Sequence, residues 1–205
     1  MSLTHSIINR ARRIRVLRRI WYGSKSILDI EFFYVHREGA SNLRDSNPTP
    51  LLDRLDVRRI DPSLIQTIAA NPENHLSEET IRKRLSEGCL GFCILHEGEV
   101  AASMWADLKK LDYRCLSLPL KKHEAYLFNA VTVPAYRGRN LAPYLRLEFY
   151  KRLERMGRNR FCSVTGFFNI EALRFKKKLG ARPAMLFLSV ILFGKHPYIV
   201  LLKKF

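Results

Sequence analysis

Apolar residues recur along this chain at two spacings, near four and near two, and the switches between them outline its elements. In residues 7–21, Ile7, Ala11, Ile14, Leu17 and Trp21 form one stripe at helical spacing, with Arg12, Arg15 and Arg19 roughly opposite. Arg10 and Arg18 fall close to that stripe, so the predicted helix is imperfectly amphipathic. Residues 26–37 are rich in β-branched and aromatic side chains and predict a strand. Residues 39–50 hold Gly, Ser, Asn and two prolines, which predict a loop and the best boundary. A short strand follows over residues 55–60. Asp61-Pro62 then starts a helix with proline at its first position, and Ser77 starts another that Gly88 ends. Residues 91–96 and 100–107 read as two strands of a hairpin joined at Glu97-Gly98-Glu99. Residues 109–122 read as a basic, irregular insertion.

The second half is more strongly patterned. Residues 125–133 form an apolar strand that Pro134 ends. Leu141, Leu145, Phe149 and Leu153 recur every four residues and predict a helix over 141–156, where Pro143 is tolerated in the first turn. A strand over 160–165, a helix over 169–179 ended by Gly180, and strands over 185–193 and 198–203 close the chain. Strands and helices interleave in a mixed α/β order without an internal repeat. The longest apolar run, residues 184–193, is well short of the ~20 residues that span a bilayer. The arginines among residues 10–19 break any continuous apolar core of a secretory signal.

Length and charge narrow the picture. A chain of 205 residues accommodates one domain with a short extension. Its net charge of +17 is concentrated late, with 21 basic against 6 acidic side chains in residues 101–205. Such an excess favours anionic partners: a phosphorylated cofactor, an acidic carrier, nucleic acid or an anionic membrane. Cys89, Cys93, Cys115 and Cys162 lack the paired spacing of a zinc or redox site, so no metal is expected. Isolated cysteines read as reduced core thiols, which places the protein in the cytoplasm.

The candidate chemistry lies in residues 133–145, VPAYRGRNLAPYL, an apolar strand joined to a helix through a turn rich in Arg and Gly. A helix start presents unpaired N–H groups and the positive end of its dipole, a ready site for phosphate. Gly138 admits an anion close to the backbone, and Arg137 and Arg139 add charge. On local physics, an ordinary connection with solvated arginines fits equally well. The segment resembles the acyl-CoA-binding motif of the GNAT superfamily: Gln or Arg, two residues, Gly, one residue, then Gly or Ala. Arg137 fills the first position and Ala142 the last. Asn140 replaces the central Gly, and Asn is the residue after Gly that best tolerates a left-handed backbone. A second element, Asn169, Ala172, Phe175, Leu179 and Gly180, resembles the family's later helix. The resemblance covers roughly residues 55–205, so residues 1–50 are expected to be an extension and 51–205 the acyltransferase domain.

The resemblance implies an α/β (α+β) fold with a mixed central sheet of about seven strands, splayed in the middle and flanked by about four helices. A basic helix and an extra strand would precede it. Acetyl-CoA would bind in the slot between residues 125–133 and 160–165. Its pantetheine would bond to Val131, Thr132 and Val133, and its pyrophosphate to Arg137, Gly138, Arg139, Asn140, Leu141 and Ala142. Asn169, Phe175 and Lys176 would approach from the far side. Lys176 stands where the family often has a tyrosine acid. The implied activity is direct acetyl transfer to an amine of a small or anionic acceptor. Glu124 is the first candidate base, His123 the second, and Tyr126 the candidate acid. The bland readings are solvated loop residues for Glu124 and His123 and a slot-lining aromatic for Tyr126, while Ser163 and Thr165 suit the slot wall. No histidine is placed in sequence to activate Cys162 as a nucleophile. Two other readings stay open: a long-chain acyltransferase fed by acyl carrier protein, and an inactive GNAT-fold binder of nucleic acid or anionic membrane. The apolar last strands suit a homodimer.

Overall fold

A computed structural model describes residues 28–39, 51, 53–71, 76–114, 116–192 and 197–205. The helix expected over residues 7–21, most of the loop over 39–50, and Cys115 lie outside the described residues.

Strand β1 (Leu28–Glu38) and strand β2 (Leu55–Arg59) come first. The Asp61 side chain then accepts from Ser63 N at 2.8 Å and opens a 3-10 turn, Pro62–Leu64, leading into α1 (Ile65–Ala69). Ser77 caps α2 (Glu78–Ser86) by accepting from Thr80 N at 3.2 Å, so both expected helix starts stand where their cap residues put them. Strands β3 (Leu90–His96) and β4 (Glu99–Asp107) meet at Glu97 and Gly98, whose φ values of 52° and 85° suit a two-residue hairpin turn. Ile65, Ile68 and Ile81 of the two helices pack with Ile60, Cys93, Leu95 and Trp105. A Cβ at Gly91 would lie 2.8 Å from Ile60 and 2.9 Å from Trp105, so only glycine lets those two side chains close over β3.

Residues 109–122 are more regular than their composition suggests. They contain β5 (Lys110–Tyr113) and β6 (Leu116–Pro119), a two-stranded sheet of their own. Leu111 and Leu116 anchor this hairpin against Phe33, Tyr126 and Phe187. Two apolar anchors among solvated polar residues leave too little alternation for a strand to be read.

The remaining elements are β7 (Glu124–Thr132), α3 (Leu141–Arg155), β8 (Arg160–Gly166), α4 (Ile170–Lys178), β9 (Arg182–Leu192) and β10 (Pro197–Lys204). The main sheet has eight strands in the order β10-β9-β1-β8-β7-β4-β3-β2. β1 is therefore an internal strand, antiparallel to β8 on one edge and to β9 on the other. The expected extra strand is real, and it lies inside the sheet. One face, with Ala125, Leu127 and Phe161, is covered by α3 through Leu145, Phe149 and Leu153. The other carries α1, α2 and the hairpin. Among the described residues no helix is long and apolar enough to cross a membrane.

Candidate active site

β7 and β8 are parallel neighbours that pair at only three positions: Glu124 with Arg160, Ala125 with Phe161 and Tyr126 with Cys162. Beyond that vertex β7 continues along β4, and β8 continues along β1. The sheet is split there into a V-shaped slot. The β4 register slips between Ser103 and Trp105, so Asn129 and Ala130 bulge out of the ladder. Asn129 takes the left-handed conformation, φ 47°. Arg84 of α2 donates to its Oδ1 at 2.6 Å while lying over the Trp105 and Phe128 rings. The bulge is thus pinned from outside the strand.

At the open end, Val133 N donates to Ala101 O at 3.0 Å, and Pro134–Tyr136 forms a 3-10 turn. Gly138 follows with φ 78°, and a Cβ there would meet nothing within 4 Å. Asn140 has φ 58° and ψ 16°, the left-handed backbone its residue type tolerates. The substitution of the motif's central glycine therefore leaves the turn intact. α3 begins at Leu141 with no acidic residue in its first turn, so its leading amides and positive dipole end face no carboxylate of their own helix. Arg137 Nε donates to Thr132 O at 3.2 Å, and Lys178 of α4 donates to Asn140 Oδ1 at 3.1 Å. An open glycine, a helix start, two arginines on the turn and Lys178 reaching it from α4 fit a diphosphate.

On the α3 side of the slot, behind β8, lies a buried polar cluster. Glu38 accepts hydrogen bonds from Lys176 Nζ, from Ser163 Oγ and, at 2.5 Å, from Tyr150 Oη. Arg146 Nε stands 3.7 Å from the same carboxylate. Burial opposes the charge on Glu38, but Arg146 and Lys176 outweigh it and hold the carboxyl below the usual range. Burial lowers Lys176 to about 8 against the pull of Glu38, with Arg146 adding repulsion. His36, two residues before Glu38, is lowered to about 4 by burial first and by Lys176 second.

The chain matches no family model and no curated protein. Solved structures do match. It is similar to a putative acetyltransferase of the GNAT family from Novosphingobium aromaticivorans, with 17% identity, TM-score 0.55, and coverage of 80% of this chain and 64% of that one. It is similar to a GCN5-related N-acetyltransferase-like protein from Streptococcus suis, with 15% identity, TM-score 0.55, and coverage of 87% and 66%. It is also similar to AAC(6')-Iy in complex with the bisubstrate analogue CoA-S-monomethyl-acetylneamine, with 17% identity, TM-score 0.50, and coverage of 62% and 90%.

The chain has the GNAT fold. It spans 57% to 64% of the length of the first structures it matches.

Within the GNAT fold the expected site residues separate into three groups. Val131, Thr132, Val133 and residues 137–142 come together at the open end of the slot. Asn169 and Phe175 lie on α4 across from them. The Asn169 side chain caps that helix by accepting from Ala172 N at 3.0 Å, the structural role a helix start gives it. Phe175 lies 5.4 Å from the Arg146 guanidinium. Lys176, expected against the cofactor, is turned inward onto Glu38.

Glu124, His123 and Tyr126 occupy the closed end. Glu124 is a rung of the β7–β8 ladder and its Oε2 accepts from Lys121 N at 3.0 Å. The His123 carbonyl accepts from Asn159 N and Arg160 N, which ties that loop below the vertex. Tyr126 sits at the vertex, stacked on Phe128, and burial pushes its hydroxyl well up. Cys162 is pushed up to about 12 by burial and donates to Ala125 O, a protonated thiol that packs. Among the described residues no group of His, Cys, Asp or Glu is placed to hold a metal ion.

Glu38, His36, Arg146 and Tyr150 were missing from the sequence-based site. Lys176 carried a signal: with Ala172 and Leu179 it lies at i, i+4 and i+7 on the helix face that turns inward.

Proposed function

We propose that this protein transfers an acetyl group from acetyl-CoA directly to an amine of a small acceptor. The observation that carries this reading is the ladder between β7 and β8, which ends after three rungs beside a glycine-opened helix start. A diphosphate fits the amides that open α3, helped by Arg137, Arg139 and Lys178. A pantetheine arm fits the main chain that the bulge at Asn129 frees from the ladder. The similarity to AAC(6')-Iy, bound to a CoA bisubstrate analogue, supports the same choice of cosubstrate.

When bound, the cosubstrate supplies the activated acyl group. The protein's share is to align that group with the amine, to exclude water, and to offer a main-chain N–H near Val131 to the carbonyl oxygen. Isothermal titration with acetyl-CoA tests the reading. Saturable binding is expected, weakened about tenfold when Arg137 and Arg139 are both replaced by Ala, and less so at 0.5 M salt where exposed charges are screened. Absence of heat and of thermal shift with millimolar acetyl-CoA or CoA would remove the assignment.

A further inference from the structure

Past α3 and α4, the α3 side of the sheet carries an apolar surface that the described residues leave open. The registers of β1, β9 and β10 set it out in rows, because residues paired across antiparallel strands present their side chains to one face. Ile30, Val190 and Tyr198 form one row, and Phe32, Leu188 and Val200 the next. Leu28 and Leu192 end the surface where β1 begins, and Phe167 packs on Phe32 at its β8 border.

β1 and β9 are internal strands, yet Ile30, Phe32, Leu188 and Val190 are only half-buried and belong to none of the hydrophobic cores. Leu28, Leu192, Tyr198 and Val200 are 36%, 42%, 62% and 49% exposed. The alternate residues Phe33 and Phe187 are 0% and 7% exposed beneath the hairpin. An antiparallel sheet that faces water turns polar side chains toward it, and these rows hold none. A contiguous apolar face of this kind marks a surface that a further layer covers.

The chain itself supplies that layer. Residues 1–27 lead into β1 at Leu28, beside the open rows. On the hairpin side that end of β1 is taken, since Arg114 pairs there with Asp29 and Glu31. A segment turning back from Leu28 over the sheet therefore has the open face left to it. Residues 7–21 carry the stripe Ile7, Ala11, Ile14, Leu17 and Trp21. A helix of that span is about 22 Å long, enough to cross three strands spaced about 4.8 Å apart. Residues 22–27 reach about 20 Å when extended, enough to bring the helix back over the rows.

We propose that residues 7–21 form an amphipathic helix that docks its apolar stripe on the open face of β1, β9 and β10 of the same chain. Docking covers Trp21 near the start of β1 and turns Arg12, Arg15 and Arg19 to solvent. The aliphatic stems of Arg10 and Arg18 border the contact, with their charged heads in water.

The chain has two tryptophans, and Trp105 is 0% exposed, so acrylamide quenching of the whole protein's fluorescence reads Trp21. Trp21→Phe identifies its share of the signal. Trp21 is expected to resist quenching several-fold better than free tryptophan, equally at low and high protein concentration. Tyr198→Asp and Val200→Asp change exposed positions on an edge strand and are expected to release it, with cooperative unfolding retained. Leu201→Asp, on the same strand but paired with Phe187 on the hairpin face, is expected to leave it shielded. Quenching of Trp21 like free tryptophan in the unsubstituted protein overturns the proposal before any face substitution is made. Shielding that grows with protein concentration and accompanies a doubled mass gives the face to a second copy and overturns it. Shielding that requires added vesicles of anionic lipid gives the stripe to a membrane and overturns it equally. Shielding that both Tyr198→Asp and Val200→Asp leave intact places the segment on another surface, which also overturns it.

Discussion

The two faces of β1 carry two clusters of the same three ingredients under opposite conditions. On the hairpin side, Asp29 and Glu31 share Arg114, with side chains 18% to 23% exposed, and Tyr113 donates to Glu31 at 2.9 Å. Two anions and one cation leave an excess of one negative charge on side chains that are partly exposed. On the α4 side, Glu38 faces Lys176 and Arg146, and the excess is one positive charge on side chains no more than 6% exposed. A solvated excess is inexpensive and tells little. A buried excess accompanied by orphaned donors is retained at real cost, and it lies at the vertex of the slot. The contrast separates a partly exposed clasp that fixes the hairpin from a buried cluster that ties β1, β8, α3 and α4 together.

Breaking the buried cluster has the largest expected effect. Glu38→Ala strands two cations in the interior and is predicted to lower stability by about 3–5 kcal/mol, or a Tm loss of about 10 °C for a chain of this size. Urea unfolding that shows less than about 1 kcal/mol would mean that the cluster is hydrated after all.

Acid should act on the same face. His36 is lowered to about 4 from 6.5, so between those values the unfolded chain binds a proton that the folded chain refuses. Stability therefore falls as pH drops from 6.5 to 4, by up to about 3 kcal/mol from this group alone. The depressed Glu38 acts in the same direction, since its stabilisation is lost as pH falls. Tm followed from pH 7 to pH 4 should show the loss, and His36→Gln should flatten part of it. A slope unchanged by that substitution contradicts the assignment to His36.

The hairpin side sets the small end of the scale. Glu31→Gln is predicted to cost less than about 1 kcal/mol, with most of the difference gone at high salt. A loss comparable to that of Glu38→Ala would erase the contrast between the two faces.

What the sequence revealed was local. The caps at Asp61 and Ser77, the turn at Glu97-Gly98, the four-residue stripe of α3 and the left-handed Asn140 each depend on a few neighbours, and each stands where the pattern placed it. What it hid was pairing at long range. Nothing in residues 28–38 announces that they lie between β8 and β9, because a strand's composition carries its burial and not its partners. Glu124 looked like the mouth of its strand for the same reason, but the ladder closes at that end and opens at the other, with Tyr126 at the vertex. Glu38 and Arg146 read as ordinary charged residues of a strand end and a helix, since their meeting requires β1 to be inserted beside β8.

The central claim is that the open half of the β7–β8 pair, and not its zipped half, holds the cosubstrate against the start of α3. Amide hydrogen exchange of the whole protein with and without CoA measures this directly. Protection is predicted for residues 138–142 and for 129–133, with no change at Glu124, Ala125 and Tyr126. Saturating CoA that protects another surface, or leaves residues 138–142 exchanging as before, contradicts it.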